Sequence, residues 1–219
     1  MNTLYDFVSG PLAWLAFILF IGGSLYRLIQ LLVLVHKKER FIYSYMSLKY
    51  ALRSIAHWMT PFATENMRRH PVLTIVAFVF HICLILTPIF LLAHVTLVEE
   101  SWNISWWTLP EGAAQIMTIA VIAGCVFFLV RRMTRQEVRY VTYASDYVIL
   151  AIVAAPFITG LLAYYQWFGY QSFMILHILS GEVMLAAIPF TRLSHMLFAP
   201  LTRAYMGSEF GGVRHAKDW

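Results

Sequence analysis

Charge is scarce in this chain. Asp, Glu, Lys and Arg make up only 12% of its 219 residues, against about a quarter in an ordinary soluble domain. Such a chain cannot cover a water-facing surface with charge, which argues against a soluble globular fold. Cysteine is nearly absent as well. Cys83 and Cys125 lie in separate apolar runs, and neither belongs to a CxxC or CxxCH pattern. Their placement argues against a disulfide scaffold, a zinc ribbon and covalently attached c-type haem, and leaves both as small core residues. The opening "MNTLYDFVSG" has no Lys or Arg, and the run after it is too long for a cleavable signal peptide. That run is expected to stay as a first membrane span. There is no internal repeat, low-complexity tract, hydride-cofactor motif or catalytic nucleophile.

Apolar residues fill the gap, at 60% of the chain. A span needs about 20 mostly apolar residues. Five stretches qualify: from about Pro11 to Val35, Pro71 to Val98, Pro110 to Val130, Thr142 to Tyr165, and Gln171 to Leu197. The expected fold is all-α, a single membrane domain over residues 1–219 with five transmembrane helices. Pro71 and Pro110 suit a first helical turn, where a missing N–H costs nothing.

All sixteen basic residues fit one orientation. Lys37, Lys38, Arg40, Lys49, Arg53, Arg68 and Arg69 follow span one. Arg131, Arg132, Arg135 and Arg139 follow span three, and Arg192, Arg203, Arg214 and Lys217 close the chain. Arg27 sits in the half of span one nearest the same side. The opposite loops carry Glu99, Glu100 and Glu111 and no Lys or Arg. The positive-inside rule then puts the N-terminus outside and the C-terminus in the cytoplasm. The net charge of +5 therefore reports membrane orientation, not nucleic-acid binding. Trp102, Trp106, Trp107, Tyr164, Tyr165 and Trp167 form the expected outer aromatic belt.

The segment at about 38–69 reads as amphipathic. Leu48, Leu52, Ile55 and Met59 recur at helical spacing, and Lys49, Arg53 and His57 take another face. It suits a cytoplasmic-surface helix that binds anionic lipid, docks a cytoplasmic partner, or simply faces lipid.

Eight histidines sort by depth. His36, His57, His70 and His215 fall at or beyond the cytoplasmic surface. His81 and His94 lie in span two, and His177 and His195 in span five. Ionisable residues within spans are costly and are functional-site candidates; the plainer alternative is an interhelical hydrogen bond. The spans run in opposite directions, so depth pairs His94 with His177 and His81 with His195. Two imidazoles from facing helices can ligate one haem iron, and two pairs would stack two haems across the bilayer. His177 and His195 are 18 residues apart, about five whole turns, so both project from one face. Gly181, one turn after His177, would let a flat macrocycle lie close. His81 and His94 are 13 apart, about 140° out of phase on an ideal helix, unless Pro88 bends or unwinds it. Arg192 either pairs with a haem propionate or is an ordinary boundary arginine. Glu182 either carries a quinol proton or hydrogen-bonds another helix. Asp146 suits capping of span four.

Several stretches resemble one known family, the gamma subunit of membrane-bound respiratory nitrate reductase and its relatives. Those relatives include cytochrome b subunits of the transmembrane redox complexes of sulfate reducers. "FIGGSLYR" resembles the end of the family's first helix and "FHI" (80–82) a haem-ligand site. "LPEGAAQIM", and "RRM" with "VRYVTYASDYVIL", resemble the third helix and the turn into the fourth. "LHILSG" and "IPFTRLSH" resemble the fifth. The resemblance implies five helices and two non-covalent haem b groups. It also implies electron transfer between a quinone pool (menaquinone or ubiquinone), or a periplasmic multihaem cytochrome c, and a cytoplasmic iron–sulfur subunit. Further membrane subunits would complete the complex in a bacterial or archaeal inner membrane. The resemblance carries His81, His177 and His195 directly as ligands. The sulfate-reducer type is the nearer match. Two rivals remain from other classes: a haem-poor anchor that docks cytoplasmic subunits, and a proton-coupled transporter. A transporter would more often show repeated halves or interrupted helices.

Overall fold

The computed structural model describes residues 2–167 and 169–217. These are helical with no strand. After a helical turn Asn2–Phe7 and a π-helical turn Val8–Leu12, the main helices follow in order. They are α1 (Ala13–Lys38), α2 (Leu48–Met59), α3 (Pro71–Phe90), α4 (Leu92–Trp102), α5 (Glu111–Thr134), α6 (Ala144–Tyr165), α7 (Tyr170–Phe190) and α8 (His195–Gly207). Five segments are long and apolar enough to cross a membrane: Thr3–Lys38, α3, α5, α6 and α7. Pro71 opens α3 as expected, whereas Pro110 is the residue before α5, extended at ψ 141°.

Two expected spans are shorter than predicted. The second does not run to Val98, because Leu91 is extended (ψ 128°) and separates α3 from α4. A helix end orphans its last carbonyls, and hydrocarbon has no water to satisfy them. Here each is taken up. Thr87 O accepts from Leu91 N at 2.9 Å, and Phe90 O accepts from Leu109 N at 2.8 Å. Ile89 O accepts from Trp106 Nε1 at 2.9 Å, and Pro88 O from His94 Nδ1 at 2.8 Å. The break thus comes just after Pro88, and the ideal-helix mismatch between His81 and His94 does not apply.

The fifth span ends at Phe190, not near Leu197. Thr191 is extended (φ −122°, ψ −171°), and a 3₁₀ turn over Arg192–Ser194 leads into α8. Thr191 Oγ1 donates to Ala187 O at 2.8 Å and accepts from Leu193 N at 3.2 Å. The expectation that one helical face carries both His177 and His195 is therefore wrong. His195 starts a separate helix, so its direction is not set by the rotation of α7.

The chain divides into two compact units. Of the described residues, one holds 2–9 and 75–181; the other holds Gly10–Thr74 and 182–217. In the first, α3, α5 and α6 share a core that includes Phe80, Cys83, Val121, Cys125, Val153 and Phe157. The cysteines are buried free thiols. Gly124 makes room for Phe80, since a Cβ there would stand 2.7 Å from its ring. That ring meets Phe128 edge-on at 5.2 Å. Asp146 caps α6, as expected: its carboxylate accepts from Tyr143 N at 2.9 Å and lies 3.8 Å from Arg132.

In the second unit α2 packs on α8 through small residues. A Cβ on Gly207 would stand 2.5 Å from both Ser54 Cβ and Tyr50 O. Ser54 and Ser208 are wholly buried, and Ser208 Oγ accepts from Ser47 N at 3.1 Å. Arg203 lies over the Trp58 ring at 4.5 Å. The opposite, apolar face of α2 is bare: Leu48, Leu52 and Met59 are 75%, 55% and 73% exposed. Past α8, Glu209 is held below the usual carboxylate range by hydrogen bonds from Tyr205 and Arg214. The same bond to Glu209 pushes the Tyr205 hydroxyl up to about 12.

Gly207→Val drives a branched side chain into Tyr50 backbone. Overpacking of this kind costs about 1–3 kcal/mol, and a lower unfolding midpoint in detergent is the expected result. A carboxyl whose folded pKa is depressed adds stability that is present above its ordinary value of 4.5 and is lost as pH falls. Proteolytic nicking after Gly207 should therefore rise as pH drops below about 4.5. In Glu209→Gln that rise should disappear.

Candidate functional site

His94 is placed by the helix break. It sits in the first turn of α4, and Pro88 O, one of the carbonyls freed at Leu91, accepts from its Nδ1 at 2.8 Å. His177 lies in α7, and its Nδ1 donates to Pro156 O of α6, also at 2.8 Å. Each ring is thus held by the carbonyl of a proline inside a helix. Carbonyls only accept, so both rings carry the proton on Nδ1 and keep the Nε2 lone pair available to a metal. His81 Nδ1 lies 2.7 Å from Ala77 O, and His195 Nδ1 lies 2.8 Å from Arg192 O.

The first unit brings His94 and His177 together. Their ring centroids are 6.0 Å apart and their planes differ by 15°. Metal–imidazole bonds are about 2 Å, and each ring centre lies roughly 1 Å behind its ligating nitrogen. Two imidazoles on opposite sides of one ion are therefore expected at roughly 6 Å between centres. The separation of the His94 and His177 rings matches that span, so these two residues are the candidates to hold an iron. The second expected pair divides between the units: His81 belongs to the first, His195 and Arg192 to the second.

Two supporting features were not legible in the sequence. Gly160 faces the His177 ring, and a Cβ there would stand 2.9 Å from both Cε1 and Nδ1. Only glycine leaves that ring its seat. The only sequence signal is its place one turn after Pro156 in an apolar span. Thr159 and Ser180 join α6 to α7 at 3.2 Å, and Ser180 Oγ donates to His177 O at 2.9 Å. A Cβ on Gly181 would meet nothing within 4 Å, so the fold's own packing does not require glycine there. Glu182 is buried at 8% exposure. Neither of its carboxylate oxygens has a hydrogen-bond partner among the described residues, so the expected alternative of a bond to another helix is not what the structure holds.

A family model for the nitrate reductase gamma subunit matches residues 69–175. A curated protein of Nitratidesulfovibrio vulgaris, strain Hildenborough, is 36% identical over 211 residues, covering 94% of this chain and 93% of its own length. The chain belongs to the nitrate reductase gamma subunit family. It is accordingly a multi-pass membrane subunit of cytochrome b type. Gamma-family subunits generally bind haem b and work within multi-subunit respiratory complexes. No solved structure matches the chain. The matched stretch includes His81 and His94 and ends two residues before His177.

Gly160→Val should push the His177 imidazole off Pro156 O. The expected outcome is a folded protein with less haem b per polypeptide than wild type, read by pyridine haemochrome assay.

Proposed function

We propose that this chain is a dihaem b-type cytochrome, the electron-carrying membrane subunit of a respiratory redox complex. The observation that carries the reading is the near-parallel His94–His177 pair at 6.0 Å, each ring fixed through Nδ1. Those two residues would hold one haem. His81 and His195 would hold the other, a pairing that rests on their depth in the sequence; each has its Nδ1 on a backbone carbonyl. Arg192, exposed beside His195, offers a charge to a propionate.

Haem iron, when bound, supplies one-electron redox chemistry. The chain's own part is to orient and to exclude. Backbone carbonyls set the tautomer and direction of each imidazole, and raise its basicity toward the metal. Apolar helices partly bury His94 and His177, which limits water there and lowers the local dielectric. The basic loops orient the subunit with its N-terminus outside. Electrons pass between a menaquinone or ubiquinone pool, or a periplasmic multihaem cytochrome c, and a cytoplasmic iron–sulfur subunit. The membrane is a bacterial or archaeal inner membrane.

The test is haem b per polypeptide in the purified subunit and in single variants. Wild type should carry two. His94→Ala and His177→Ala should each lose the same haem, judged by its potential. His81→Ala and His195→Ala should each lose the other. A folded wild-type protein without haem would overturn the reading and leave a membrane anchor.

A further inference from the structure

Arg27 stands inside a membrane span, eleven residues before α1 ends at Lys38. That is ~16 Å of helix, and a charge so placed calls for a partner. Its Nη1 donates to Gln30 Oε1 at 3.2 Å. Its guanidinium carbon lies 5.5 Å from the centre of the Phe198 ring. Its Nε is buried with no acceptor, and it takes part in none of the ion pairs among the described residues.

Ser24 lies three residues earlier, on the same side of α1. It is 9% exposed, and its Oγ is also buried without a partner. Between them, two donors on one helix face lack an acceptor. Their surroundings are fixed by the same unit. A Cβ on Gly23 would stand 2.8 Å from Pro189 and 2.9 Å from Phe190, so this face of α1 lies against the end of α7. Phe198, against Arg27, is three residues after His195 in α8. The acceptor that fits is a carboxylate: it is anionic, takes a guanidinium fork on two oxygens, and can accept from a hydroxyl.

We propose that Arg27 and Ser24 hold a propionate carboxylate of the haem ligated by His195. This rests on the reading of His195 as an axial ligand. It gives Arg27 a positioning role: α1 would hold a propionate, and His195 of α8 would hold the iron. A cation beside the ring also favours the reduced haem, which carries one positive charge fewer.

The test uses the full-length protein loaded with haem ¹³C-labelled at its propionate carboxyls. Redox-difference infrared spectra and potentiometric titrations would compare wild type with Arg27→Gln, Arg27→Lys, Ser24→Ala and His195→Ala. The expected result for Arg27→Gln is a shifted labelled carboxylate band and a lower potential for the haem that His195→Ala removes. Ser24→Ala should move the band less. An unshifted band in Arg27→Gln at full haem content would overturn the proposal. If Arg27→Gln loses that haem, its return in Arg27→Lys with a shifted band supports the proposal, and its loss in both overturns it. Unchanged haem content in His195→Ala would instead sink the underlying ligand assignment, and this proposal with it.

Discussion

Hydrocarbon offers no water to an unpaired backbone carbonyl, and that constraint organises the most informative part of this molecule. Once Leu91 turns extended, α3 cannot cap itself, and Pro88, Ile89 and Phe90 each present a free oxygen. The chain answers with three different donors: an imidazole, an indole and a backbone amide. The imidazole is His94. Satisfying the helix end and aiming a candidate metal ligand are therefore one interaction, and relaxing either would disturb the other.

A similar economy governs His177. Pro156 lies inside α6, yet its oxygen accepts from an imidazole on α7. Gly160 keeps the space beside that ring clear. The Thr159–Ser180 contact holds the two helices in register around it. None of these residues touches iron, but all fix the direction of the nitrogen that would. In the other unit, Gly207 and the buried Ser208 let α8 lie closely on α2. That packing braces the helix that begins with His195.

Much of the architecture was legible from composition. Five apolar runs, scarce charge and one-sided basic loops lead directly to a helical membrane protein, because a bilayer accepts few alternatives. The amphipathic period of residues 48–59 likewise announced α2. The errors share one cause. Periodicity assumes an uninterrupted helix, and this chain interrupts two. At α3 the break removes an apparent misalignment between His81 and His94. At α7 it removes an apparent alignment between His177 and His195. Pro88 pointed to the first break. Pro189 lay in view beside the second, but the unwinding follows at Thr191, whose hydroxyl bonds to backbone on both sides of the extended residue.

The sequence by itself determined the class of molecule, the number of spans and the short list of histidines. Those follow from transfer free energies and residue chemistry, which act locally and can be summed along a chain. Only the tertiary structure decided which carbonyl each Nδ1 meets, that His94 meets His177, and that Gly160 is the residue that seats it. Those depend on contacts between helices far apart in sequence and on where a helix stops, which no single stretch encodes. The same is true of Arg27. As a residue it is an anomaly in an apolar span; beside Phe198, with its Nε and the Ser24 hydroxyl both lacking an acceptor, it becomes a specific expectation about chemistry.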